Sequence, residues 1–275
     1  MKTLLNHTLI YDNDCPMCNL YSKSFIKFGM LNEEGREAFT EMSEETRSII
    51  DLHRSKNEIA LINHNNNSVV YGLNSLLKIF GNRFPLLEKI ATVGPLYWFF
   101  NRLYKFVSYN RKQIVPSEKD YSEQACVPDF NLKYRISYIL FVLVFSVVIL
   151  AEYNARIFPF FDRHFELKLF ICAMQIVWQT VFLSGFLNGK FWDYLGNMMT
   201  VSLMGTILLV PALLFTLPQG FYFIYFLIVV FIMFLEHLRR CRILKIGLIP
   251  TISWLIFRIL FGLILIFIVS KNISL

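Results

Sequence analysis

The residues best suited to chemistry are two cysteines near the start of the chain, Cys15 and Cys18, which are separated by Pro16 and Met17. A cysteine thiolate can attack a disulfide, and a second thiol three positions further along can resolve the mixed disulfide that forms. The spacing therefore predicts a dithiol redox site that is made by Cys15 and Cys18.

The segment around this pair predicts a strand followed by a helix. Leu9-Ile10-Tyr11 is a short apolar run, and a helical pattern of apolar residues begins at Pro16, a residue that suits the first turn of a helix. Cys15 then lies at the helix N-terminus, where free N–H groups and the helix dipole stabilise a thiolate. The negative charges of Asp12 and Asp14 act in the opposite direction. We expect Cys15 to be the attacking thiol.

The rest of the first half continues this alternation of strands and helices. The pattern predicts strands over Glu37–Met42, Glu58–Asn63 and Ser68–Tyr71, and helices over Glu44–His53, Leu73–Phe80, Leu86–Val93 and Pro95–Lys112. This order predicts an α/β thioredoxin-like domain over residues 1–115, followed by a polar linker over residues 116–133.

The second half of the chain has the composition of a membrane domain. The whole chain is 55% hydrophobic and only 17% charged, whereas soluble domains have about 25% charged residues. Long apolar runs in the second half account for this shortage of charged residues. Crossing a bilayer takes about 20 apolar residues. Residues 134–275 therefore predict an α-helical transmembrane bundle of about five spans, over Ile136–Ala151, Leu167–Leu187, Leu195–Leu217, Phe221–Leu235 and Leu248–Val269.

The basic residues between these spans predict an orientation. Arg239, Arg240 and Arg242 follow the fourth span directly, and loops rich in Lys and Arg stay on the cytoplasmic side. The first residues, Met1–Leu5, are too short for the apolar core of a signal peptide. We therefore expect the redox domain on the cytoplasmic side of the membrane and the C-terminus outside.

A few polar residues lie within the predicted spans. Arg258 lies midway along the fifth span, where an arginine costs about 3 kcal/mol, so it needs a partner. Gln175 and Gln179, one helical turn apart, and Asn197 are candidates. This polar cluster is interpreted in two ways, as a hydrogen-bonded pin between helices or as a seat for a headgroup or quinone-like ligand.

Two isolated cysteines offer a thiol relay on the predicted cytoplasmic side. Cys126 lies in the linker, which is free to move in this interpretation, and Cys241 lies among arginines that favour a thiolate. Either thiol could exchange with the dithiol. The alternative is that both are incidental, because exchange requires a close approach of sulfur atoms that no spacing predicts.

The CxxC pair has two other interpretations, half of a zinc site or two structural thiols that are paired by accident. One CxxC pair supplies half of a zinc site, but the sequence has no second pair and its histidines are scattered. The strand-then-helix context favours redox chemistry. No metal, no bound cofactor and no nucleic-acid partner are predicted.

The residues that carry a family likeness are Tyr11-Asp12-Asn13-Asp14-Cys15-Pro16-Met17-Cys18 and Leu103-Tyr104-Lys105-Phe106-Val107-Ser108-Tyr109-Asn110-Arg111-Lys112. They resemble the D-x-x-C-x-x-C motif and the closing segment of the DCC family of thiol-disulfide oxidoreductases. The resemblance covers about Leu9 to Lys112 and implies a redox-active disulfide of Cys15 and Cys18, with Asp12 as the family aspartate. Asn13 stands where the family commonly has glycine, and the cis-proline of thioredoxin has no counterpart.

The first half and the second half together predict a membrane-anchored thiol-disulfide oxidoreductase of the protein-disulfide reductase type. Its partners would be protein or small-molecule thiols and disulfides, besides the lipid bilayer. Two other functions remain open: a transmembrane electron carrier that is coupled to a quinone-like ligand, and a non-enzymatic assembly subunit with a vestigial thioredoxin-like head. The sequence predicts no particular oligomeric state.

Overall fold

The computed structural model describes residues 3–117, 126–157, 165–187 and 189–273, without the side chains of 165, 167, 168 and 265–273. The chain separates into two compact units, Met1–Arg135 and Ile136–Leu275. The predicted boundaries near residues 115 and 133 stay predictions.

The first unit is built on a mixed sheet of four strands, β1 (His7–Tyr11), β2 (Arg36–Ala38), β3 (Ala60–Asn63) and β4 (Ser68–Tyr71). The strand order is β2-β1-β3-β4. Strand β1 runs parallel to β2 and antiparallel to β3, and β4 is antiparallel to β3. Because side chains alternate along a strand, Leu9 and Ile10 of β1 enter separate apolar cores.

Six helices of the first unit, among the described residues, surround this sheet: α1 (Pro16–Lys27), α2 (Glu44–Ile49), α3 (Leu52–Asn57), α4 (Leu73–Arg83), α5 (Pro85–Ala91) and α6 (Gly94–Ile114). The coarse prediction of a small sheet with helices is confirmed, and the thioredoxin-like assignment stays a prediction. The predicted strand Glu37–Met42 ends early, since Phe39–Glu41 form a 3₁₀ turn.

The predicted helix Glu44–His53 is in fact two helices. Ile50 takes an extended backbone conformation, and Asp51 starts a new helix by accepting a hydrogen bond from the Arg54 N–H at 2.9 Å. Ser43 caps the first of the two helices in the same way, at 3.1 Å from the Thr46 N–H. Two N-cap residues therefore divide a segment that periodicity alone predicts as continuous.

Residues 126–135 belong to the first unit and pack on its other residues, whereas the sequence predicts a linker that is free to move. Residues 118–125 of the predicted linker lie outside the described residues. The Asp129 N–H donates to Asn57 Oδ1 at 2.8 Å, and the rings of Tyr109 and Tyr134 stack with centroids 4.9 Å apart. Cys126 belongs to the apolar core on one face of the sheet. Specific polar and aromatic contacts hold this segment, and a polar composition does not predict them.

The second unit is helical. Its elements are α7 (Leu132–Ile157, which begins in the first unit), α8 (Phe165–Leu183), α9 (Phe191–Leu213), α10 (Gln219–Ile243) and α11 (Ile249–Ile273). Within the described residues, α7, α9 and α10 are long and apolar enough to cross a membrane. Leu169–Leu183 and Ile249–Ile264 are shorter apolar stretches. The count of five spans therefore stays a prediction.

Hydroxyl groups join the long helices of the second unit. Tyr138 of α7 lies 2.7 Å from the Thr200 hydroxyl of α9, and the Tyr225 hydroxyl of α10 donates to the Leu208 carbonyl at 2.7 Å. Helices α9 and α10 pack side by side, with Gly205 against the side chain of Met233. Small residues and interhelical hydrogen bonds are typical of helix packing in membranes.

Gly72, which links β4 to α4, gives a test of the first unit's fold. Its φ is +66°, and a Cβ atom there would lie 2.9 Å from Glu58 Oε2. We expect Gly72→Ala to lower the free energy of unfolding by about 1–3 kcal/mol, because the backbone conformation is strained for any other residue. Urea denaturation of the full chain in detergent, read by pulse alkylation of the buried Cys126, measures this.

Gly94→Ala is the matched control, because a Cβ atom at Gly94 would meet nothing within 4 Å. That variant should unfold at the wild-type midpoint. Equal midpoints for the two variants would contradict the strained turn at Gly72.

Candidate redox site

The turn between β1 and α1 delivers the first cysteine to a helix end. The Asp14 N–H donates to Asp12 Oδ1 at 3.0 Å, and the Cys15 N–H donates to the Asp12 carbonyl at 3.3 Å. Cys15 is the N-cap residue of α1, with Pro16 at the first helical position. Asn13 does not have a positive φ. The turn therefore does not need the glycine that the related family commonly has there.

The two thiols form a compact buried pair. Cys15 and Cys18 are free thiols, and their exposed fractions are 0% and 4%. Their sulfur atoms and a carboxylate oxygen of Asp12 lie within 4.8 Å of one another. A disulfide substrate can therefore reach these sulfurs only through an internal space or after a local opening.

The two sulfurs differ in acidity. The pKa of Cys15 falls from 9.0 to about 6, chiefly because the Cys18 thiol donates a hydrogen bond to it. Burial opposes this shift and the Cys18 N–H supports it, although Cys15 makes no regular capping hydrogen bond. The same hydrogen bond and burial raise the pKa of Cys18 far above 9.0. Cys15 is therefore a thiolate at neutral pH and Cys18 a thiol.

An arginine from the far end of the domain completes the site. Arg111 of α6 is 5% exposed, and its Nε donates to Asp12 Oδ2 at 3.3 Å. Its Nη2 donates to the carbonyls of Lys56 and Cys126, both at 2.9 Å. Its positive charge also favours the Cys15 thiolate. Arg111 thus ties the dithiol turn to two other segments of the unit.

Lys112 and Tyr21 also contact the site. Lys112 Nζ lies 3.1 Å from Asp12 Oδ2, so the Asp12 carboxylate has two cationic partners. The Tyr21 hydroxyl acts on Cys18 in the direction that lowers the pKa of this thiol, although burial and Cys15 raise it. The sequence placed Arg111 and Lys112 in a family-like segment but gave neither a role, because only the tertiary structure brings them to Asp12.

Cys126 lies next to Arg111 and lines the cavity beside the dithiol. It is 4% exposed, and its Sγ accepts a hydrogen bond from Arg111 Nη2 at 3.4 Å. Burial raises the pKa of Cys126 to about 12, although Arg111 acts in the opposite direction. Cys126 is therefore a neutral thiol at physiological pH and not an attacking group. The predicted relay through it stays a prediction.

A cavity of about 280 Å³ opens next to the dithiol. Both Cys18 and Cys126 line it. Most of its wall is apolar or aromatic, with side chains from Met17, Tyr21, Phe25, Phe39, Leu76, Phe80, Tyr104 and Val107. Its volume is close to the low end of small-molecule sites, roughly 300–1,000 Å³.

The ligand atoms of Asp12, Cys15 and Cys18 are close enough together to be compared with a metal site. Structural zinc sites have four ligands, whereas this grouping, within the described ranges, supplies three. The Asp12 carboxylate already binds Arg111 and Lys112, and their positive charges oppose a metal cation. The chemistry of this donor set fits a dithiol better than a metal.

The other predicted site residues lie in the second unit. The Arg258 guanidinium lies over the Trp254 ring at 5.0 Å, and Gln179 Oε1 accepts a hydrogen bond from the Tyr194 hydroxyl at 3.1 Å. Cys241 is buried, and its Sγ lies 3.6 Å from His237 Nδ1. A relay through Cys241 stays a prediction.

Asn197 has hydrogen-bond partners of its own, and its predicted place beside Arg258 stays a prediction. Its Oδ1 accepts a hydrogen bond from Arg240 Nη1 at 2.8 Å, and its Nδ2 donates to the Asp193 carbonyl at 2.9 Å. Arg240 and Asn197 therefore form their own pair between α10 and α9. The sequence predicts Asn197 as a candidate partner of Arg258, and in the structure Asn197 binds Arg240.

Comparison with known proteins agrees with the geometry of the dithiol. No curated protein and no solved structure matches this chain. One family model does match, over the segment that contains β1 to α6 with the dithiol and Arg111. Residues 9–116 of this chain thus match the DCC1-like thiol-disulfide oxidoreductase family.

Proposed function

We propose that this protein is a membrane-anchored thiol-disulfide oxidoreductase in which Cys15 attacks and Cys18 resolves. The observation that carries the proposal is the geometry of the pair: Cys15 is the N-cap residue of α1, Cys18 lies one turn further on, and their sulfur atoms lie within 4.8 Å of each other. Their hydrogen bond lowers the pKa of Cys15 and raises the pKa of Cys18. A low-pKa thiol beside a protonated one is what disulfide exchange requires.

The proposed reaction has two exchange steps. In the first, the Cys15 thiolate attacks one sulfur of a disulfide RS–SR′, so that a Cys15–SR bond forms and R′S⁻ leaves and takes up a proton. In the second, Cys18 loses its proton, attacks the Cys15 sulfur and releases RS⁻, which is protonated in turn. The substrate gains two electrons and two protons, and the protein is left with a Cys15–Cys18 disulfide.

Asp12 and Arg111 act as positioning residues in this scheme. Asp12 shapes the turn through its carbonyl and its carboxylate, and Arg111 holds that carboxylate while it favours the Cys15 thiolate. Neither residue needs to exchange a proton with the substrate. Asp12, the aspartate of the family motif, thus has a structural role, because it brings a buried cation beside the dithiol.

The burial of both sulfurs bears on the substrate. The cavity at Cys18 favours small, largely apolar disulfides, because charged groups lose hydration when they enter a cavity whose wall is mostly apolar. A protein disulfide requires a local opening around Cys18. The stabilised Cys15 thiolate also favours the reduced state, so a reductase of this type acts on readily reduced disulfides.

The location follows from the second half of the chain. Three helices that are long and apolar enough to cross a membrane support the anchor. We further propose five spans and a cytoplasmic redox domain, on the strength of the two shorter apolar helices and the basic cluster Arg239, Arg240 and Arg242. A vestigial head is the weaker alternative, because a vestigial site has no reason to keep one thiol acidic.

The roles of the two cysteines can be separated with an uncharged aromatic disulfide, 2,2′-dithiodipyridine, which suits the apolar cavity. The wild-type dithiol should release both halves of the reagent. Cys18→Ser should release one half and retain the other on Cys15, because no resolving thiol remains. Absorbance of the released thiol and mass spectrometry of the Cys15 peptide measure this.

Cys172→Ser is the control for the trapping experiment, since that thiol lies outside the first unit, and it should behave as wild type. Cys15→Ser should lose the rapid reaction. If the retained half is instead found on Cys18 in wild type or on Cys126 in Cys18→Ser, the assignment of the nucleophile is wrong.

The pH dependence of alkylation tests the cause of the low pKa. Because the thiolate fraction rises with pH, the rate at which iodoacetamide labels Cys15 should rise through a midpoint near pH 6. Cys18→Ala should move this midpoint upward, since the largest cause of the shift is lost. Cys18→Ser, which keeps a hydrogen-bond donor, should stay closer to wild type. Identical midpoints for the two variants would contradict the Cys18 hydrogen bond as the cause.

The proposed topology predicts the location of both ends of the chain. A reporter that is active only in the cytoplasm should be active when it is fused before Met1 and inactive when it is fused after Leu275, because an odd number of spans separates the two ends. Activity at both ends would mean an even number of spans. Activity only at the C-terminus would reverse the orientation.

A further inference from the structure

The second unit contains polar side-chain atoms that are buried and, among the described residues, have no hydrogen-bond partner. They are Oε1 and Nε2 of Gln175, Nε2 of Gln179, Nε1 of Trp254 and Nε of Arg258. The exposed fractions are 5% for Gln175 and 0% for both Gln179 and Trp254. An unpaired polar group that is buried in an apolar environment is costly, and buried polar groups in native proteins are usually paired.

These atoms belong to one place in the fold. Gln175 and Gln179 are one turn apart on α8, and Trp254 and Arg258 are one turn apart on α11. Helices α8 and α11 pack against each other. The Arg258 guanidinium lies over the Trp254 ring at 5.0 Å. The unpaired groups thus lie on two helices that pack against each other, and Gln179 is connected to Trp254 through Tyr194 and His237.

A satisfied hydrogen-bond network borders this cluster. The Tyr194 hydroxyl donates to Gln179 Oε1 at 3.1 Å and lies 3.3 Å from His237 Nε2. His237 Nδ1 lies 3.1 Å from the Thr251 hydroxyl, and the His237 ring stacks on Trp254 with centroids 5.3 Å apart. The network fixes the positions of Gln179 and Trp254 and ends at their unpaired N–H groups.

We propose that this cluster, Gln175, Gln179, Trp254 and Arg258, is a binding site for the oxygen-bearing head of an apolar ligand. A polar or charged residue in an apolar helical bundle commonly marks a functional site. The cluster combines a cation with three further side chains that have unpaired donors. A ligand that supplies oxygen acceptors would pair these groups, and an apolar body would suit the surrounding side chains.

The donor count defines the ligand chemistry. The cluster has four unpaired donor atoms and one unpaired acceptor, Gln175 Oε1. A ligand that pairs these atoms must therefore be rich in acceptor oxygens. Aromatic rings surround these donors: Trp254 stacks on His237, and the ring centroids of Phe257 and Phe261 lie 4.2 Å apart. Such rings suit an apolar or aromatic ligand body. Quinone carbonyls and a fatty-acyl carboxylate both provide this chemistry. The site is argued from the second unit alone, and it does not depend on the function proposed for the dithiol.

The test uses the purified full chain in lipid nanodiscs, with decylubiquinone and decanoate as two separate probes. Because a ligand that binds only the folded state raises the unfolding temperature, we expect at least one probe to raise it in wild type. Gln175→Leu removes two unpaired atoms at similar volume and should abolish most of that rise. Thr180→Val is the control, since the Thr180 hydroxyl is already bonded to the Ile176 carbonyl.

Arg258→Met distinguishes the two sources of the ligand. A carboxylate needs the positive charge, so this variant should lose the decanoate response, whereas a quinone response should weaken but persist. The proposal is overturned if neither probe raises the unfolding temperature of wild type. It is also overturned if the rise is the same in Gln175→Leu, or if it is lost equally in Thr180→Val.

Discussion

The buried contact of Asp12 with Arg111 and Lys112 is the interaction on which the first unit's site depends. All three side chains are nearly inaccessible, and Arg111 also binds the carbonyls of Lys56 and Cys126. One guanidinium thus joins the dithiol turn, the end of α3 and the segment after α6. Removing one partner of a buried ion pair commonly costs about 3–5 kcal/mol, because the other charge is left without compensation.

This arrangement also explains how a buried cysteine can be acidic. Burial by itself raises the pKa of a thiol, as it does for Cys126. Cys15 escapes this effect because the Cys18 thiol donates a hydrogen bond to it, the Cys18 N–H adds to this, and Arg111 supplies positive charge. The site therefore places an acidic thiol, Cys15, and a protonated thiol, Cys18, within a single turn of helix. It does so without exposing either sulfur to solvent.

The second unit places polar groups in an apolar bundle in two different ways. The Arg240 guanidinium binds Glu236 on its own helix and Asn197 on α9. Arg258 has, among the described residues, an aromatic ring as its neighbour and an Nε without a partner. A satisfied arginine stabilises helix packing, whereas an arginine with unused donors requires a further partner. The difference separates a structural pair from a candidate ligand site.

Local patterns in the sequence determined the strand before Asp12, the helix that begins at Pro16, the position of Cys15 at its N-terminus, and the small sheet with helices. They also determined that long apolar helices follow, although not how many of them cross a membrane. Only the tertiary structure decided that Arg111 reaches Asp12, that Cys126 is packed, and that Asn197 pairs with Arg240. The physical reason is range. Periodicity, caps and dipoles act within a turn or two of chain, whereas the partner of a long side chain depends on which distant segments the packing brings together.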